Sequence, residues 1–85
     1  MTPAPQATAR FGQARGCAFR AFDALGRRLP GTAIDWARDA DWYLSSASTM
    51  PGVDHGEGSE FRREWSIVNR VWERILSNIA MRCEA

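Results

Sequence analysis

The residues best equipped for chemistry in this 85-residue chain are few. The single histidine, His55, stands in Asp54-His55-Gly56-Glu57, with Glu60 close behind. A His-x-Glu sequence can open a zinc deaminase site, but the paired cysteines that would complete such a site are missing, so an exposed loop histidine is expected instead. Asp35 with Asp39, and Glu60 with Glu64, set carboxylates four residues apart, a spacing that acid/base or metal chemistry can use and that solvated helix faces show constantly. Cys17 and Cys83 are too few and too far apart for a disulfide framework or a Cys-x-x-Cys site, and two free thiols are expected. Phosphate-binding glycine loops and nucleophile-elbow motifs do not occur. The sequence therefore predicts a non-enzymatic chain without catalytic residues, metal or cofactor.

Charge is the next source of function. All eleven basic residues are Arg and thirteen residues are Ala. That bias fits a GC-rich coding sequence as well as it fits a selected surface. The formal net charge is +1, but residues 1–29 carry five Arg and one Asp (+4), residues 30–61 one Arg and six acids (−5), and residues 62–85 five Arg and three Glu (+2). An acidic middle segment of this kind can dock on the positively charged channel of another protein. Arg20 with Arg27, and Arg63, Arg70 and Arg74, form the two stripes a nucleic acid could use, but a loop of about eleven residues before the last helix is too long for a helix-turn-helix.

These groups must be positioned by elements that the apolar spacing outlines. Residues 1–9, rich in Pro, Ala and Thr, read as a flexible tail, and residues 10–85 as one helical domain. Phe11, Ala14, Ala18, Ala21, Phe22, Leu25 and Leu29 recur at helical spacing. Gly12 and Gly16 weaken the first turns, so the helix is expected to be firm only from about Cys17, and a short β-hairpin over residues 18–29 turning at Gly26 is the rival. After Leu29-Pro30-Gly31, the run Thr32-Ala33-Ile34-Asp35 has capping-box form and begins a second helix, reaching about Ala47, whose inner face is Ala33, Trp36, Ala37, Ala40, Tyr43, Leu44 and Ala47. Residues 48–58 are turn formers throughout.

The strongest pattern lies in residues 59–83. Ser59 is the N-cap, and Phe61, Trp65, Val68, Trp72, Ile75, Ile79 and Cys83 follow at steps of three and four as the core face, with Arg62, Arg63, Ser66, Arg70, Glu73, Arg74 and Ser77 in water. The fold class is mostly α, three helices with a long C-terminal one, and the alternative is α+β through the hairpin. With so few residues to bury, the four tryptophans and the phenylalanines are expected to carry the core.

Two residues break this pattern. Trp42 falls almost opposite Ala33 and Leu44, among Asp35, Arg38 and Asp39, where an aromatic anchor rimmed by acids would suit a partner with a basic surface. Its rival reading is cover from the 48–58 loop or the tail. Ile67 lies between Arg63 and Arg74. The functional expectation is a small cytoplasmic protein that occludes a partner protein, as phage and mobile-element inhibitors of host defence such as anti-CRISPR proteins do. An Arg-face DNA or RNA regulator through Arg63, Ile67, Arg70 and Arg74 is one alternative, and a subunit forming a homodimer through Ile67 and Val71 is another. No leader-like apolar run and no membrane span appear, so no membrane partner is expected.

Overall fold

The computed structural model describes residues 5–84, and side chains through residue 80. Helix α1 is continuous from Pro5 to Gly26, α2 runs Pro30–Ser48 and α3 Glu60–Glu84, with no strand among the described residues. The hairpin over residues 18–29 does not form. Ala18, Ala21 and Ala24 each lose all or nearly all exposure on one face of α1, a burial that only the helical period allows them together. Residues 5–9, expected as tail, are also helical. Ala7 is fully buried beside Leu44 and Ala47, because the end of α2 reaches back to the start of α1.

A Schellman turn ends α1. Leu29 N donates to Ala24 O at 2.9 Å and Arg28 N to Leu25 O at 3.0 Å, with Arg28 in the left-handed region at φ 62° where glycine is usual. The second helix starts three residues earlier than its capping sequence suggests. Pro30 takes the first turn, where its missing N–H is not needed, and Leu29 caps without a side-chain hydrogen bond. Ser59 behaves as expected, its hydroxyl accepting from Arg62 N at 3.2 Å to cap α3.

The helix directions follow from which residues meet. Arg10 bonds the Ser46 hydroxyl and Arg20 lies over Trp36, so α1 and α2 are antiparallel. Phe11 stacks with Phe61, Arg15 pairs with Glu64 and Arg74 covers Phe22, so α1 and α3 run parallel. The result is an up-down-up bundle measuring 52 × 20 × 16 Å. The α1–α2 interface is much the largest, and α3 lies on both helices about equally.

The core differs from expectation in what fills it. Among the described residues, nine of the fifteen buried apolar ones are alanines, and the largest are Phe11, Leu44, Val68, Val71 and Ile75. Small residues let α1 and α2 approach closely, and that closeness leaves no space between them for an indole. Trp36, Tyr43 and Trp72 are partly buried at the margins, whereas Phe19, Trp42 and Trp65 are exposed. On α3 the buried face is Glu64, Val68, Val71 and Ile75, which keeps Val68 and Ile75 of the expected face and is rotated from it by about half a residue step. Trp65 and Ile79 fall outside it, and the Cys83 side chain lies outside the described residues.

Candidate partner-binding surfaces

Asp35, Arg38, Asp39 and Trp42 share one helical face, at steps of three, one and three, and all four are exposed. Trp42 is 61% exposed, so neither the loop nor the start of α1 covers it. Its indole is held from below by Tyr43, edge-on at 5.1 Å, and from the side by the Arg10 guanidinium at 6.0 Å. Arg10 also donates to the Ser46 hydroxyl, which ties this arginine to α2. The sequence did not show that α1 would place a cation here. Together with Arg20 at 4.8 Å over Trp36, it makes the acidic rim mixed in sign. Among the described residues, neither of the two ion pairs engages Asp35, Asp39 or Asp41.

The arginine face of α3 is less available than its spacing implies. Ile67 is partly buried against the core, and Val71 is wholly buried, so Val71 cannot serve a homodimer contact. Arg74 lies over the Phe22 ring at 5.8 Å. Arg62 donates to the His55 carbonyl at 2.9 Å and covers Trp65 at 5.9 Å. On α1, Arg27 pairs with Asp23 at 3.2 Å. Arg63 and Arg70 remain exposed as the core of that candidate face.

Glu64 is the functional-looking group the sequence concealed. It is fully buried, and Arg15 grips it with two donors, Nε to Oε2 at 3.2 Å and the terminal nitrogen to Oε1. The hydrogen bond and charge of Glu64 raise the Arg15 pKa further above its ordinary value, with a smaller contribution from Glu60. Both Glu64 oxygens are occupied by Arg15, so Glu64 is not free to act as a carboxylate pair with Glu60. A faint signal existed: Glu64 stands four residues before Val68, in step with Val71 and Ile75.

His55 is bound into its own loop. Its Nε2 lies 2.8 Å from the Ser48 carbonyl and its ring packs edge-on against Phe61 at 4.8 Å, while Asp54 Oδ1 accepts from Gly56 N. Among the described residues no group of three His, Cys, Asp or Glu side chains is arranged to hold a metal ion. Two of the open depressions among the described residues are one of about 250 Å³ lined by Phe11, Val53, Asp54, Ser59, Glu60 and Phe61, and one of about 310 Å³ lined by Phe22, Leu25, Arg74, Ser77 and Asn78. In the first, the Ser59 hydroxyl caps α3 by accepting from Arg62 N, and Asp54 Oδ1 accepts from Gly56 N.

Protein-family models, curated proteins and solved structures yield no match to this chain. Any functional reading therefore rests on the surface chemistry. No helix among the described residues is long and apolar enough to cross a membrane.

Proposed function

We propose that this protein is a non-enzymatic binding protein that acts by covering a functional surface of another protein with the outer face of α2. The observation that carries this reading is Trp42, 61% exposed and braced by Tyr43 and Arg10. Contacts with Tyr43 and Arg10 reduce the entropy Trp42 has to lose on docking, and tryptophan is among the residues that most often dominate interface energies. Asp35, Asp39 and Asp41 favour a partner with basic groups, while Arg38 and Arg10 give the contact a mixed polar rim. The target class we assign is a nucleic-acid-binding channel of a host defence complex, with the protein as a phage or mobile-element inhibitor. Its support is the acidic segment, −5 over residues 30–61.

The test compares retention of host proteins by the wild type with that by Trp42→Ala and Asp39→Arg. A retained protein that both variants release, and whose nucleic-acid binding the wild type blocks, is the expected result. Equal retention by all three forms would remove Trp42 from the contact. The competing reading, an Arg-face nucleic-acid binder through Arg63, Ile67, Arg70 and Arg74, requires binding to random duplex that weakens steeply with salt.

A further inference from the structure

α3 carries more apolar surface than the bundle uses. Its core face is Val68, Val71 and Ile75, yet a second strip runs beside it through Trp65, Trp72, Leu76 and Ile79. Leu76 is 62% exposed, Trp65 45% and Ile79 38%, with Trp72 partly buried at the inner margin. An amphipathic helix serving only its own core needs a stripe little more than 100° wide, and this one continues well beyond that.

The spacing of the surplus strip is specific. Trp65, Asn69, Trp72, Leu76 and Ile79 follow at steps of four, three, four and three, the alternation of a coiled-coil seam, and α3 remains helical through Glu84. Asn69, exposed in the middle of this row, occupies the type of position where a single asparagine fixes register between like helices. An isolated helix with so short a seam would be marginal. Here α1 and α2 already hold α3 folded, so pairing does not bear the cost of helix formation.

We propose that α3 pairs with α3 of a second copy of this chain along Trp65, Asn69, Trp72, Leu76 and Ile79. The area suits a second copy. Each chain leaves on the order of 300 Å² of apolar side chain uncovered on the strip. Two strips come to about 600 Å² of apolar surface, and the polar side chains flanking them bring the contact to the size of a weak, reversible dimer. The near-neutral formal charge, +1, opposes self-association little. The strip is separate from the Trp42 face, so the dimer and the proposed partner contact can fail independently.

The experiment is sedimentation of the full chain over a wide concentration range. Wild type is expected to pass from monomer to dimer. Leu76→Glu is expected to weaken the dimer roughly 30-fold or more, with helical circular dichroism unchanged because Leu76 is exposed. Asn69→Leu is expected to tighten association and admit other oligomers, whereas Trp42→Ala leaves the dimer as it is. A wild type that stays monomeric throughout, or a folded Leu76→Glu that dimerises as well as wild type, would overturn the seam.

Discussion

At the scale of single residues, the buried Glu64 is the group on which stability depends most sharply. Arg15 satisfies both of its oxygens from a side chain that is itself about half exposed. Arg15→Ala leaves a carboxylate buried without its partner, and about 2–3 kcal/mol of stability should be lost, less than for a wholly buried pair because water screens the guanidinium. The urea midpoint at neutral pH measures this. Cys17 supplies the pH dependence. Burial, and after it Asp39, raise the thiol pKa above its ordinary value, with Arg20 opposing. The folded state therefore holds the thiol proton more tightly than the unfolded chain. This contribution is fully present below the unfolded thiol's pKa and is lost as pH rises through the folded one. In a Cys83→Ser background, stability should decline above about pH 9, and substituting Cys17→Ala as well should flatten that decline.

At the scale of elements, α1 shows how a helix survives unfavourable local residues. Gly12 and Gly16 each cost about 1 kcal/mol relative to Ala, which is why a start near Cys17 was the natural expectation. Burial of Ala7, Phe11 and Ala14 against the rest of the bundle outweighs that cost. A methyl added at Gly12 or Gly16 meets nothing within 4 Å. Arg28 has the opposite fault, a side chain in a left-handed conformation that glycine adopts freely. Gly12→Ala, Gly16→Ala and Arg28→Gly should each stabilise the protein by up to about 1 kcal/mol, and should do so nearly additively between α1's start and its end. Thermal melts of the three single variants and the triple check this.

At the scale of the whole molecule, the sequence by itself determined the second helix, the break at Leu29-Pro30, the Ser59 cap and the long C-terminal element, because period and punctuation are local properties of the chain, and it left residues 18–29 open between helix and hairpin. It also marked Trp42 as out of place on α2, a matter of counting residues round one helix. What it could not determine was how far each helix is rotated toward the others. The aromatics of residues 59–83, with Val68 and Ile75, fit a core face, and so do Glu64, Val68, Val71 and Ile75, about half a residue step round the same helix. Only the tertiary structure decided between them. The alanine seam between α1 and α2 leaves a narrow groove that accepts valine and isoleucine from α3 and excludes indoles, and Arg15 makes burial of Glu64 acceptable by meeting both its oxygens. That rotation keeps Val68 and Ile75 of the expected face in the core, leaves Phe61 and Trp72 at its margin, and turns Trp65 and Ile79, with Leu76 beside them, outward. It also buries Val71, and the proposed self-association therefore lies along Trp65 and Leu76 and not through Ile67 and Val71. The placement of Arg10 beside Trp42 was equally beyond the sequence, since it joins residues separated by a helix reversal whose register only packing sets.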